Sequence, residues 1–203
     1  MQSGGASGSL RVCGLDPSLT SFGGAVTGGP GVPPELFRFK TKLAGHDRLA
    51  YLLDGVAEIA RGCDVAVVEG VLSHMPGAEV HLNLAGLHWL TRHALWELGV
   101  PYAVVTATSR MKWLTGKGHT EKDDCLVEVI KRFPLADVRG NDQADALTLA
   151  AMAAAAYGAP LVPMPADREA VLFATKLVTR GKVKVRVPSI DWPRLKETEA
   201  LGA

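Results

Sequence analysis

Leu10-Arg-Val-Cys-Gly-Leu-Asp16-Pro-Ser-Leu-Thr20 is the stretch that decides the fold. The apolar run from Leu10 to Leu15 reads as a buried strand, and Asp16 falls at its end, just before the turn-forming Pro17. A second apolar run, Val65-Ala-Val-Val68, ends the same way in Glu69. In α/β folds the crevice for chemistry opens at such strand ends, so the two acids are expected to face one site. Two further acids lie in Gly140-Asn-Asp-Gln-Ala-Asp-Ala146. Asp142 and Asp145 are i and i+3 at the start of an alanine-rich helix, which places both side chains on one face.

Four carboxylates gathered without cations repel. At about 4 Å and an effective dielectric of about 20, each like pair costs on the order of 4 kcal/mol. A divalent cation removes that cost, and an all-oxygen donor set suits Mg²⁺ or Mn²⁺ rather than zinc. Paired metals stabilise the attacking and leaving oxygens of a phosphodiester, so metal-assisted phosphodiester hydrolysis is the chemistry indicated. Taken singly, Asp16 also reads as a turn residue and Asp142 as a helix N-cap. Glu69 ends a buried run, where a carboxylate needs a partner or a metal. Asp145, one turn into its helix, gains little from capping.

With these residues in order, the chain resembles the RuvC-type Holliday junction resolvases of the RNase H-like superfamily. The resemblance covers residues 10 to 158 and rests on Gly14-Leu-Asp-Pro-Ser-Leu-Thr-Ser-Phe-Gly23, Val67-Val-Glu69, Thr115-Gly-Lys-Gly-His-Thr-Glu-Lys122 and Asp142-Gln-Ala-Asp-Ala-Leu147. It implies an α/β fold of RNase H-like type, with a central mixed five-stranded sheet, helices on both faces and a C-terminal extension. It also implies a homodimeric endonuclease that places symmetric nicks in four-way DNA junctions, using two Mg²⁺ ions per site for which Mn²⁺ substitutes. By position, Asp16, Glu69, Asp142 and Asp145 match the family's metal-binding catalytic acids. No organic cofactor is implied. At the position three residues after the strand-end glutamate, where the bacterial family carries an aromatic that helps open the junction, this chain has Leu72. The tail after Pro160 resembles the extended forms carried by bacteriophages.

The chain has 203 residues, 47% hydrophobic and 21% charged, enough to bury one sizeable core. Residues 1–9 read as a flexible lead-in, 10–158 as the nuclease domain and 159–203 as an extension built on a basic strand or hairpin. No apolar stretch is long enough to span a bilayer, and the Gly/Ser-rich start lacks a signal-peptide core. Cys13, Cys63 and Cys125 are odd in number and widely spaced, which indicates neither a disulfide framework nor a zinc motif. A reducing cytoplasm is the default location, the host's if a phage encodes the chain.

Net charge is only +1, so DNA contact must come from the distribution of charge rather than its total. Arg110, Lys112, Lys117, His119 and Lys122 surround Gly116 and Gly118, whose missing side chains let backbone amides approach phosphate. This reads as the main DNA-contact loop, and the resemblance puts basic residues of the family at Lys112 and Lys122. Acids at Glu121, Asp123 and Asp124 leave an ordinary solvated face as the alternative. His74, shortly after Glu69, reads either as a DNA contact or as part of a solvated loop. In the tail, Lys182-Val-Lys-Val-Arg-Val187 alternates strictly, so Lys182, Lys184 and Arg186 share one face, suited to a protected sheet edge or to a phosphate backbone.

The helix from Ala78 to Leu98 carries two apolar faces. Val80, Leu84, Leu87, Ala94 and Leu98 are expected to face the sheet, with Leu82, Trp89 and Trp96 nearly opposite. The second face suits either a copy of itself across a two-fold axis or the returning tail. His81, His88 and His93 are spread around this helix and make no metal site. A less selective nuclease for flaps and forks remains open, as does a nucleotide-binding ATPase or kinase-like module suggested by Asp16-Pro-Ser-Leu-Thr20. A non-catalytic DNA-binding protein is a third reading.

Overall fold

A computed structural model describes residues 9–71, 78–180 and 183–195. The chain order is β1 (Val12–Asp16), β2 (Ser21–Thr27), β3 (Glu35–Lys40), α1 (Gly45–Ala60), β4 (Val65–Glu69), α2 (Ala78–Glu97) and β5 (Tyr102–Val105). Then follow α3 (Ala107–Thr115), α4 (Lys122–Arg132), α5 (Asn141–Ala156), the short α6 (Ala166–Glu169), β6 (Thr175–Arg180) and β7 (Val183–Pro188). The first five strands form one sheet in the order β3-β2-β1-β4-β5. β1, β2 and β3 pair antiparallel, while β4 and β5 join parallel to β1. This is the mixed five-stranded sheet with helices on both faces that the family resemblance implies.

The two-residue period of a strand sends alternate side chains to opposite faces. Val12, Val65 and Val67 join one core with residues of α3, α4 and α5, whereas Cys13, Leu15, Ala66 and Val68 join the other with α1 and α2. Asp16 and Glu69 continue the first alternation, two residues beyond Gly14 and Val67, and so emerge on the α5 side. Helix α5 lies very close to the sheet. A Cβ on Gly14 would sit 2.0 Å from the Ala146 carbonyl oxygen, and one on Gly23 2.1 Å from that of Asp142. Only glycines in β1 and β2, with alanines along α5, allow this backbone-to-backbone approach.

The tail shares the main core. Val171, Leu172 and Ile190 are buried with the α5-side cluster. Trp192 Nε1 donates to the Leu172 carbonyl at 2.8 Å, and the Tyr157 hydroxyl donates to that of Pro193 at 2.5 Å. Beyond this anchor, β6 and β7 make a separate two-stranded antiparallel ribbon.

Helix α2 differs from the expected stripe. Leu87 is buried as foreseen, but its buried companions are His88, Thr91 and Leu95, while Val80 and Leu98 are exposed. The helix is apolar over much of its circumference, so composition did not fix its phase. The lead-in residues 1–8, together with Leu72, His74 and Lys182, lie outside the described residues.

Candidate metal centre and nucleic-acid surface

Three of the four acids converge. One carboxylate oxygen from each of Asp16, Glu69 and Asp145 lies within 4.8 Å of the others. Their positions follow from the fold: Asp16 and Glu69 end the adjacent strands β1 and β4, and Asp145 sits in the first turns of α5, which Gly14 draws against the sheet. Burial, and then the negative charges of Glu69 and Asp145, hold the Asp16 carboxyl well above the usual carboxylate range. Burial likewise pushes Asp145 up to about 7, against the opposing pull of Arg110. Carboxyls this reluctant to ionise together are a site short of positive charge, and an all-oxygen donor set fits a hard divalent cation.

The fourth acid stands aside. Asp142 Oδ2 accepts from Ser21 Oγ at 2.5 Å and from Arg38 Nε at 3.1 Å, so β2 and β3 hold it apart from the trio. The expected i, i+3 relation with Asp145 is present, but the pair is split between two sets of partners.

Arg110 corrects the sequence reading. It is 6% exposed and does not belong to an exposed loop. The stretch around it is helix α3, capped at its start by Thr106, whose Oγ1 accepts from Ser109 N at 3.2 Å, and closed by Gly116 with a φ of 84°. Arg110, Trp113 and Leu114 form the buried stripe of this helix. The guanidinium reaches Glu69 with Nε and Nη2, each at 3.3 Å, and Asp145 with Nη1. The i, i+3, i+4 spacing of Arg110 with Trp113 and Leu114 was the available signal for an inward arginine. Lys112, Lys117, His119 and Lys122 are exposed around the Gly116–Gly118 turn, and the charge of Lys122 is felt at Asp145.

His88 also departs from the surface placement read from the sequence. Its Nε2 donates to the Glu69 main-chain carbonyl at 2.6 Å, and burial lowers its pKa, so the ring is neutral at physiological pH. It therefore ties α2 to the end of β4 at the site. Ser21, Arg38 and His88 are the site-supporting residues that the sequence did not single out.

On the ribbon, Lys184 and Arg186 are exposed while Val185 and Val187 are half-buried. Leu82, Trp89 and Trp96 are 71%, 65% and 71% exposed. The Arg92 guanidinium lies 4.2 Å from the Trp89 ring centroid, and His93 stacks on Trp96. The described part of the tail packs on the α5 side instead, so it is not what covers this face.

Carboxylates converging at the ends of β1 and β4, opposite an acid-bearing α5 on a 3-2-1-4-5 sheet, define an RNase H-like fold with a candidate metal centre at its sheet end. Comparison with known proteins gives the family. The chain is 34% identical over 152 residues to the RuvC crossover junction endodeoxyribonuclease of Delftia acidovorans, covering 70% of this chain and 82% of that protein. It is 30% identical over 148 residues to the enzyme of the same name from Rhizobium rhizogenes, covering 70% and 86%. The chain belongs to the RuvC crossover junction endodeoxyribonuclease family. No family model matches it. Among solved structures, Thermus thermophilus RuvC in complex with Holliday junction substrate superposes with a TM-score of 0.57 at 21% identity, over 70% of this chain and 90% of that one. A second Thermus thermophilus RuvC structure gives 0.56 at 20% identity, over 75% and 99%. Both establish likeness of fold. Among the described residues, no helix is long and apolar enough to cross a membrane.

Proposed function

We propose that this chain is a Holliday junction resolvase, a metal-dependent endodeoxyribonuclease that cuts four-way DNA junctions by paired symmetric nicks. The observation that carries the reading is the convergence of Asp16, Glu69 and Asp145 within 4.8 Å in a member of this family. Asp16, Glu69 and Asp145, joined by Asp142, would hold two Mg²⁺ ions, with Mn²⁺ a working substitute. When bound, such ions lower the pKa of an attacking water and neutralise charge on the departing 3′ oxygen.

The chain's own residues supply the remainder. Glu69 is oriented from two sides, through its main chain by His88 and through its carboxylate by Arg110. Lys112, Lys117, His119 and Lys122 are exposed, Lys122 near enough for its charge to be felt at Asp145, and would meet the phosphates of the scissile strand. Leu72 and His74, which follow β4 in the sequence, would contact the DNA. On the ribbon, Lys184 and Arg186, with Lys182 beside them in sequence, would follow a DNA arm.

Paired nicking requires two sites in fixed relation, and the exposed Leu82, Trp89 and Trp96 face is the proposed homodimer interface. Residues 10–158 would be the nuclease unit and 159–203 a C-terminal extension carrying the basic ribbon. Cys13, Cys63 and Cys125 are buried free thiols, compatible with action in a reducing cytoplasm. The basic ribbon also favours a second reading, a nuclease that accepts flaps and forks.

Strand-resolved cleavage of a synthetic four-way junction, a flap and a linear duplex in Mg²⁺, with Asp16→Asn as control, separates the readings. Paired symmetric nicks confined to the junction and lost in the variant support the resolvase. Scattered cuts on every branched substrate support the broader nuclease, and no cutting in Mg²⁺ or Mn²⁺ refutes both.

A further inference from the structure

Arg110 is a fully charged side chain inside the acid cluster. Its side chain is 7% exposed, between Glu69 at 12% and Asp145 at 16%. Both ends of its helix are fixed, by the Thr106 cap and by Gly116, and Trp113 and Leu114 lock the same face into the core. The guanidinium is thus delivered by the fold rather than by a flexible surface arm. Its Nη2 donates to Glu69 Oε1 at 3.3 Å, its Nε lies 3.3 Å from Glu69 Oε2 without a hydrogen bond, and its Nη1 pairs with Asp145, a two-carboxylate spread that a compact ammonium group cannot reproduce.

A permanent cation at this place has two physical effects. It offsets the repulsion among three largely buried carboxylates, so the ligands stay in position when no metal is present. It also opposes the arrival of further positive charge at the same oxygens, because unit and double charges a few ångströms apart interact strongly in a poorly solvated site. Burying such a charge is costly unless it is paired, and here its partners are two of the residues that would hold metal.

We propose that Arg110 is a positioning residue that acts as the built-in counter-cation of the metal centre: it holds Glu69 and Asp145 in place in the unloaded enzyme and weakens the affinity of the site for divalent ions. This rests on the assignment of Asp16, Glu69 and Asp145 as metal ligands. It makes metal loading conditional, since the site has to gain enough from its ion to overcome the arginine already there.

The test is calorimetric titration of the metal-free protein with Mn²⁺, together with melting curves in EDTA and in saturating Mn²⁺, for the wild type, Arg110→Met, Arg110→Lys and Asp16→Asn. Arg110→Met keeps most of the aliphatic volume and removes the charge. It should bind Mn²⁺ at least about tenfold more tightly, melt lower than the wild type in EDTA, and recover most of that loss in Mn²⁺. Arg110→Lys retains the charge without the fork. It should bind Mn²⁺ within about threefold of the wild type while still melting lower in EDTA.

Unchanged or weaker Mn²⁺ binding in Arg110→Met overturns the proposal. If that variant does not fold, Arg110→Lys decides alone, and a tenfold gain in Mn²⁺ affinity there overturns it, because the charge would still be present. Absence of any Mn²⁺ binding in the wild type that is lost in Asp16→Asn refutes the metal-centre assignment itself. That outcome is distinct from a wild type that binds normally and an Arg110 series that makes no difference.

Discussion

Gly14→Ala should inactivate the enzyme without touching a charged residue. The added Cβ would lie 2.0 Å from the Ala146 carbonyl oxygen and 2.6 Å from the Ala150 nitrogen, where ordinary van der Waals contact begins at 3.4 Å. Both obstacles are helix backbone, so no rotamer change relieves them, and α5 has to retreat from β1 by roughly 1 Å or more. Asp145 immediately precedes Ala146 and moves with it, away from Asp16 and Glu69. A misplacement of about 1 Å at a reacting centre costs on the order of a hundredfold in rate. Overpacking costs about 1–3 kcal/mol, and the lower chain entropy of alanine returns up to about 1 kcal/mol of that. For a chain of this size, a net loss of about 2 kcal/mol lowers the melting temperature by roughly 4–8 °C. The assay is single-turnover junction cleavage at saturating Mg²⁺ at a temperature where the variant is folded, beside a melting curve. Cleavage within threefold of the wild type, with an unshifted melting temperature, would refute the argument that Gly14 sets the helix-to-sheet distance at the site.

Other perturbations test other parts of the arrangement. In EDTA, the folded protein keeps a proton on Asp145 up to about pH 7 whereas the unfolded chain releases it near 4, so stability should fall as pH rises through that window. The effect is on the order of a few kcal/mol, and Asp145→Asn should flatten it; parallel pH profiles of melting temperature for the two proteins would contradict the assigned burial. His88→Ala leaves the Glu69 carbonyl without its 2.6 Å donor and should cost about 1–3 kcal/mol with a fall in cleavage rate, so a variant as stable and active as the wild type would remove His88 from the site's support. Replacing Trp89 and Trp96 by serine should yield monomers in sedimentation velocity and uncouple the two nicks, whereas an intact dimer would place the interface elsewhere. Lys184→Gln with Arg186→Gln should weaken junction binding and reduce its log–log salt slope by about 2, and an unaltered slope would show that the ribbon does not touch phosphate.

The parts of the fold set by local pattern were readable in the sequence. Apolar runs ending in Asp16 and Glu69 located β1 and β4, and the i, i+3 acids located the start of α5, because burial and periodicity act over a few residues. What escaped depended on packing between distant segments. Arg110 was read as a surface cation because arginine is rarely buried, although its spacing with Trp113 and Leu114 placed it on the inward stripe of α3. Asp142 looked equivalent to Asp145, yet Ser21 and Arg38, 121 and 104 residues away in sequence, draw it toward β2 and β3. The phase of α2 was ambiguous because tryptophans line its exposed side, and the buried His88 is explained only by a carbonyl at the end of β4. Leu72, His74 and Lys182 fall outside the described residues.

The same long-range packing explains how a sheet end can carry so much like charge. Three of the four acids are met by a donor or cation from a different part of the chain: Glu69 and Asp145 by Arg110 of α3, and Asp142 by Arg38 of β3 and Ser21 of β2. Asp16 has the least help, since its neighbours are the carboxylates of Glu69 and Asp145, and its carboxyl is accordingly held well above the ordinary range. Among the described residues no cation pairs directly with Asp16, which feels Arg110 only at a distance, so the deficit of positive charge is greatest there rather than spread evenly over four acids. A divalent ion entering there gains most from Asp16 and only in part from Glu69 and Asp145, which Arg110 already engages. Removing Asp16 should consequently abolish metal binding more completely than removing Asp142, whose carboxylate has to leave Ser21 and Arg38 before it can serve an ion. Titrating Mn²⁺ into Asp16→Asn and Asp142→Asn ranks the two directly, and equal losses would mean that the arginines do not partition the site as their contacts indicate.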